Sequence, residues 1–201
     1  MSKKIFISDN KDIGLQCKLW AKSNLLEGFE ITEDINSCDI FISILYDKIL
    51  NVDFLKQKEC YNFHPAILPN YAGVGTMTWS ILNNEIEHGI TLHLIDEGVD
   101  TGDVIDIDKF SIDKDETAES LHKKTMNKMF NFFKNKLHII LNKTYKTHKQ
   151  DLSQRKFYSY KDLNKLLNLS NYMRATYFSN KSNPYYYNKN KEKVEVSYEN
   201  K

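Results

Sequence analysis

Hydrophobic positions along this chain fall into short buried runs that alternate with stretches of helical periodicity. "KKIFISD" is an apolar run that stops at Asp9 and Asn10, as a parallel strand does before its turn. Residues 12–26 place Leu15, Leu19 and Leu26 near helical spacing, with Trp20 and Leu25 widening that face. "GFEIT" reads as a short strand and "CDIFISILY" as a buried one. Residues 61–63 form another strand-like run that leads directly into His64. Behind Gly73, "VGTMTWSILNNE" reads as the start of a helix. "GITLHLIDEGVDTGDVIDIDKFSI" reads as two strands joined by a Gly-containing turn over residues 96–102. Residues 117–141 predict an amphipathic helix with Leu121, Met129, Phe133, Leu137 and Leu141 on one face. Asp115 and Glu116 stand at its N-terminal end, where negative charge is favoured. Past residue 145 the pattern breaks into short pieces, and the final "KVEVSYENK" alternates like an edge strand. No internal repeat is present, and the alternation of strands and helices argues for an α/β fold on a mainly parallel sheet.

Composition narrows this picture. With 201 residues, 41% hydrophobic and 12% aromatic, the chain has enough material for one domain with a real core and is not disordered. No apolar run approaches the ~20 residues that a membrane helix needs. "MSKKIFISDN" passes from its lysines straight into a strand-like run, without the apolar region of a leader. The three cysteines, Cys17, Cys38 and Cys60, lack metal-type spacing and read as reduced thiols. The expectation is a soluble, cytoplasmic protein.

The net charge of +1 conceals an asymmetry: residues 1–122 carry 10 basic and 22 acidic side chains, whereas residues 123–201 carry 18 and 5. Nine of the twelve tyrosines also lie after residue 144. A basic, tyrosine-rich tail suits a nucleic acid, because rings stack on bases and cations meet phosphates. It suits a single nucleotide-like small molecule equally well, and a solvated lysine-rich surface is the plainer alternative.

Candidate chemistry concentrates in "NFHPAILPNYAG", where Asn62 and His64 stand one residue apart ahead of Pro65 and Pro69, and in "DEGVDTGD". Both stretches follow predicted strands, and sites in α/β sheets lie at carboxyl ends of strands. If those strands are neighbours, His64 faces Asp96 or Asp100. A carboxylate would then orient the imidazole, the imidazole would handle protons, and the Asn62 amide would stabilise an oxyanion. No serine or cysteine accompanies the group in an elbow motif, so the nucleophile belongs to the substrate. The run Asp96, Asp100, Asp103, Asp106, Asp108 lacks the spacing of a calcium loop, and His64, His88 and His93 lack that of a zinc site, so no metal is expected.

Taken together, "NFHPAILPNYAG" and "HGITLHLIDEGVDTGDVI" resemble the folate-dependent formyltransferase family, with its N-x-H-P-(S/A)-x-L-P-x-Y-x-G signature followed by D-x-x-x-D-x-G. The resemblance implies a shortened Rossmann-like, mostly parallel sheet over residues 1–143. A small aromatic-rich α+β extension over residues 144–201 would complete the acceptor site or a dimer interface. It implies 10-formyltetrahydrofolate as co-substrate and Asn62, His64 and Asp100 as the catalytic trio, Asp100 being the aspartate that precedes "TG". In that reading Asn62 and protonated His64 stabilise the oxyanion. Asp100 orients His64 and, directly or through water, helps to take up the amine proton. The two prolines stiffen the loop that holds the site. "YDKIL", with Lys48, Ile49 and Leu50, corresponds to one wall of the folate pocket, and Ile95, Asp96 and Val99 to the other.

The tail, "FYSYKDLNKL" and "YMRATYFSNKSNPYYYNKNKEKVEV", is similar to that of the sugar N-formyltransferase branch. That branch implies a dTDP-linked aminodideoxysugar as acceptor, best matched by dTDP-4-amino-4,6-dideoxyglucose, in surface-glycan synthesis, and a homodimer that binds neither nucleic acid nor membrane. Asn10, Lys11, Tyr46, Tyr71, Tyr158 and Tyr187 are the expected contacts to the nucleotide sugar, with Lys11 and Lys48 on phosphate. Two alternatives stand beside this one: a glycinamide ribonucleotide formyltransferase, although "SDNKDIG" lacks that branch's glycine-rich phosphate loop, and a non-catalytic nucleic-acid-binding module. About 60 residues after the long helix are too few for the C-terminal barrel of the transfer-RNA enzymes.

Overall fold

The computed structural model describes residues 2–159 and the backbone of two further strands, β9 (Tyr185–Tyr187) and β10 (Lys193–Glu195), which pair antiparallel. Ahead of these come β1 (Lys3–Ile7), α1 (Asp12–Lys22), β2 (Phe29–Ile31), β3 (Ile40–Ile44), α2 (Val52–Gln57) and β4 (Glu59–His64). Then follow β5 (Ala72–Gly73), α3 (Thr76–Leu82), β6 (Glu87–Leu94), β7 (Val104–Ser111), α4 (Ala118–Leu141) and β8 (Phe157–Tyr158).

Six strands form one sheet in the order β2-β1-β3-β4-β6-β7. The first four run parallel, and β6 and β7 add antiparallel. This is the mostly parallel α/β sheet that the strand–helix alternation predicts. Its centre is β3, all five residues of which are buried, as a strand covered on both faces must be. One face packs Ile5, Ile7, Ile42, Ile44, Tyr61, Phe63 and Leu92 against α1 and α4. The opposite face gathers Cys38, Phe41 and Cys60 with Phe6, Tyr46, Leu50, Phe54 and Ile95. All three cysteines are free and buried. Burial pushes the thiols of Cys17 and Cys60 up to about 12, so they stay protonated and inert.

The long helix forms where its periodicity places it. Leu121, Met129, Phe133, Leu137 and Leu141 are all buried, and Thr117 caps the helix through a reciprocal capping box with Ser120. In α1 the expected face is overturned. Leu15 and Leu19 are exposed, Leu19 to 56%, while Ile13, Gly14, Cys17, Lys18 and Ala21 are buried. Close approach is the reason: a Cβ on Gly14 would overlap the Ser8 carbonyl oxygen, so the line of nearest approach takes Gly14, Cys17 and Ala21 and the large leucines turn out. The helix also ends at Lys22, four residues short of the predicted span. The short helix α2, which periodicity did not suggest, is capped by Asn51, whose side chain accepts from Phe54 N at 2.8 Å. Among the described residues, no helix is long and apolar enough to cross a membrane.

Candidate active site

Strand β4 carries Asn62 and His64 at its carboxyl end, between parallel β3 and antiparallel β6. Pairing sets their neighbours: Asn62 stands opposite His93, and His64 opposite Thr91. The loop after His64 is pinned by hydroxyls. Thr91 Oγ1 donates to Ala66 O at 2.6 Å and accepts from Leu68 N at 3.1 Å, while Thr76 Oγ1 donates to Pro65 O at 2.6 Å. The Leu68–Pro69 peptide is cis. The two prolines therefore act together with two threonines that no local pattern singled out.

Asp100 reaches this strand end from the β6–β7 loop. Its Oδ1 lies 3.4 Å from His64 Nδ1, 3.7 Å from His93 Nε2 and 3.4 Å from Asn62 Nδ2. Its Oδ2 accepts from Gly73 N at 2.8 Å. The structure therefore brings Asn62, His64 and Asp100 together and resolves the choice between the two loop aspartates. Asp96 turns back on its own loop, where Oδ1 accepts from Thr101 Oγ1 at 2.6 Å and Gly98 N at 3.1 Å.

Proton positions follow from the acceptors. Carbonyls accept only, so His64 Nε2 donates to Tyr71 O at 2.6 Å and His93 Nδ1 donates to Leu94 O at 2.6 Å. His93 Nε2 is then the acceptor for Asn62 Nδ2 at 3.1 Å. His93 thus completes the cluster as a fourth member; only its place opposite Asn62 across the ladder reveals it. Burial of the Asp100 carboxyl favours its neutral form, but His64, His93 and the Gly73 amide outweigh this and hold its pKa down at about 2. Burial pushes His64 below its ordinary value, opposed by Asp100 and the Tyr71 carbonyl. The Asp100 carboxylate thus faces His64 Nδ1, the nitrogen not bonded to the Tyr71 carbonyl, and a proton placed there makes the two a hydrogen-bonded ion pair. His64 is only 4% exposed, with both ring nitrogens committed, whereas Asn62 is half-buried at the mouth.

Of the expected pocket-wall residues, Leu50 and Ile95 come together on one face of the sheet. Tyr46, Leu50 and Ile95 pack on one small apolar cluster with Phe41 and Cys60. Lys48 is exposed, Ile49 is 87% exposed and Val99 is exposed beside Asp100. Asn10 and Lys11 are exposed at the end of β1, where Lys11 pairs with Asp47 at 3.5 Å. Tyr71 and Tyr158 stack on each other at 5.2 Å, with Trp79 against Tyr158 at 4.8 Å. Their hydroxyls both accept from Asn83 Nδ2, at 2.9 and 3.0 Å, and Tyr71 donates to Glu85 at 2.6 Å. These two rings are thus occupied in joining residue 158 to the His64 loop. The Tyr187 side chain lies outside the described residues.

Residues 148–158 return over the site, a contact that pattern reading did not suggest. Gln150 Nε2 donates to the carbonyls of Asp100 and Gly102, Arg155 Nη2 donates to Val99 O at 2.9 Å, and β8 pairs parallel with β5 next to Gly73.

Known proteins are similar to this chain in sequence and in fold. The methionyl-tRNA formyltransferase of Sulfurimonas denitrificans is 38% identical over 84 residues, 42% of this chain and 28% of that protein. The GDP-perosamine N-formyltransferase of Brucella melitensis biotype 1 is 33% identical over 123 residues, 56% of this chain and 47% of that protein. The chain thus spans less than half the length of either relative. Among solved structures, the sugar 3N-formyl transferase WlaRD, determined in the presence of dTDP and 5-N-formyl-THF, superposes with a TM-score of 0.75 at 27% identity, covering 89% of this chain and 80% of that one. Residues 17–137, which include β4, its Asn62 and His64, and the Asp100 loop, match the formyl transferase family model, and the chain belongs to that family.

Proposed function

We propose that the protein transfers a formyl group from 10-formyltetrahydrofolate to the amino group of a dTDP-linked aminodideoxysugar, with Asn62, His64 and Asp100 as its catalytic group. The observation that carries the reading is the convergence of Asn62, His64 and Asp100 within 3.4 Å contacts at the carboxyl end of β4. The likeness to WlaRD supports the sugar acceptor, because it covers 89% of the chain at 27% identity. Exposed Val99, next to Asp100 in the chain, and exposed Ile49 fit a flat ring with apolar faces and hydrogen-bonding edges, as the folate has. The folate supplies an activated formyl carbon.

This chain's residues supply the rest. The Asn62 amide keeps its bond to His93 Nε2 and exchanges its long 3.4 Å contact with Asp100 for the oxyanion that develops as a neutral amine attacks. His64 and Asp100 take up the amine proton at Nδ1 as imidazolium beside carboxylate; when the oxyanion collapses, the bond from the formyl carbon to the folate nitrogen breaks and that nitrogen leaves with the proton as tetrahydrofolate. In this arrangement His64 works through Asp100 and Asn62 from a buried position. Asp96 serves the loop that carries Asp100.

The sequence does not distinguish C3 from C4; family analogy gives C4 as the best match, whereas likeness to a 3N-formyl transferase favours C3. A mass-spectrometric assay with 10-formyltetrahydrofolate would offer both amino isomers of the dTDP sugar, glycinamide ribonucleotide and methionyl-tRNA in parallel, with His64→Asn as control. Formylated sugar nucleotide from the wild type, lost in the variant, is the expected result and identifies the isomer. Product with methionyl-tRNA or glycinamide ribonucleotide alone would overturn the sugar assignment, and no product with any amine would overturn formyl transfer itself.

A further inference from the structure

The orientation of Asp100 is not explained by its own loop. Asp100 has φ 55°, the left-handed region that costs a non-glycine residue about 1–2 kcal/mol. Its side chain must nonetheless meet His64, His93, Asn62 and the Gly73 amide at once. The backbone is held from outside. Gln150 Nε2 donates to Asp100 O at 3.1 Å and to Gly102 O at 2.7 Å, spending both amide hydrogens on two carbonyls two residues apart. The segment bearing Gln150 is itself fixed at both ends. His148 and Val104 exchange backbone hydrogen bonds of 2.8 Å, and further on Ala72 N donates to Lys156 O and Val74 N to Tyr158 O. One strap therefore ties the Asp100 loop to the loop after His64.

We infer that Gln150 is the positioning residue of this site: its carboxamide clamps the Asp100 and Gly102 carbonyls and thereby fixes where the Asp100 carboxylate points. Only a primary amide has two N–H groups on one atom to span two carbonyls at this reach. Glutamate has the same length but no donor, leucine has the bulk without polarity, and asparagine is one methylene short. The amide's orientation follows from the same fact, because the reverse would set Oε1 against two carbonyl oxygens. Gln150 Oε1 is buried without a hydrogen-bond partner among the described residues, so the side chain's polar work lies wholly in those two donations. The kinetic part of the inference rests on the proposed formyl transfer; the geometric part does not.

Two readouts test it on Gln150→Leu, Gln150→Glu and Gln150→Asn, with Leu152→Ala on the exposed side of the strap as control. In the formylation assay, kcat of the leucine and glutamate variants is expected to fall about 10- to 100-fold, as for a misplacement near 1 Å, with both KM values within twofold. The asparagine variant falls between, and it decides the matter if the larger changes prevent folding. In the free enzyme, 15N-detected titration of the imidazoles is expected to move His64 downward in the leucine variant, because a carboxylate is displaced from among the groups that face it, Asp100, His93 and His88. Unchanged kcat with an unchanged His64 titration would overturn the inference. So would a rise in KM at constant kcat, which would make the strap a substrate contact. If the wild type formylates no amine, the functional proposal fails, and the His64 titration still decides whether Gln150 positions Asp100.

Discussion

At Asn62 one amide nitrogen is shared between His93 Nε2 and Asp100 Oδ1, so a single side chain couples two elements at the point where charge develops. Removing it leaves His93 and Asp100 without that donor and removes the proposed oxyanion contact. Asn62→Ala is expected to lower kcat about 10²–10³-fold, the worth of one such donor, with KM little changed, as read from initial rates. A second residue-scale effect belongs to His88. It is buried with Nδ1 on Ser80 Oγ at 3.0 Å and Nε2 unpartnered among the described residues. Burial, with a smaller contribution from His64, lowers its pKa to about 4. The fold keeps this ring neutral while the unfolded chain protonates it near its ordinary value of about 6.5. Its contribution is therefore complete above pH ~6.5 and is lost as pH falls toward 4, amounting to about 3 kcal/mol across that window. Urea midpoints measured from pH 7.5 to 5 should fall, and His88→Gln should remove about one proton's worth of that slope. An unchanged slope would show that His88 is not held neutral.

At the scale of elements, α1 shows how packing distance overrides side-chain hydrophobicity. The helix approaches the end of β1 so closely that Gly14 has no room for a Cβ against the Ser8 carbonyl. Lys18 is buried beneath this contact and bonds to Asp9 at 2.8 Å and to Glu33, which closes the β1–α1 turn. Gly14→Ala should therefore cost about 1–3 kcal/mol by overpacking, although alanine is the better helix former. Leu19→Lys should change stability by no more than about 0.5 kcal/mol, because its side chain is already in water. Thermal unfolding of the two variants side by side checks the assignment of the inward face; a larger loss at Leu19 would reverse it.

Over the whole molecule, the charge asymmetry becomes a set of pairings between the two halves. Lys143 Nζ meets Glu59 at 2.9 Å, Lys124 meets Asp113 at 3.0 Å and Glu116 at 3.1 Å, and Lys136 pairs with Asp106. The exposed pairs among these each contribute little, of order 0–1 kcal/mol, whereas Lys124 meets a buried carboxylate at Glu116. Tyr145 adds to this return, its hydroxyl 2.9 Å from that of Tyr61. The whole chain is also the scale for assembly. The proposed sugar branch implies a homodimer, and light scattering at micromolar concentration should give twice the 23.6 kDa chain mass. A mass equal to one chain would remove the dimer from the proposal.

Where a pattern repeats within a few residues, the sequence alone determined the outcome. The buried run of β3, the inward stripe of α4 and its N-terminus at Thr117 are each dictated by local periodicity or capping. The trio was legible too, because Asn62, His64 and Asp100 stand in two ordered motifs that match a known family, and the strand ends that bear them meet in the sheet. Distance between backbones carries no periodic signal, so the small-residue face of α1 was not legible. Nor were two partners that arrive from far along the chain without a motif: His93 enters by ladder pairing across 31 residues, and Gln150 crosses 50 residues to reach a carbonyl. The sequence by itself determined the main strands and the long helix and pointed to the side chains proposed to hold the chemistry. Only the tertiary structure decided which proton each histidine carries and which distant amide holds Asp100 in place, because these depend on acceptors that folding alone brings into contact.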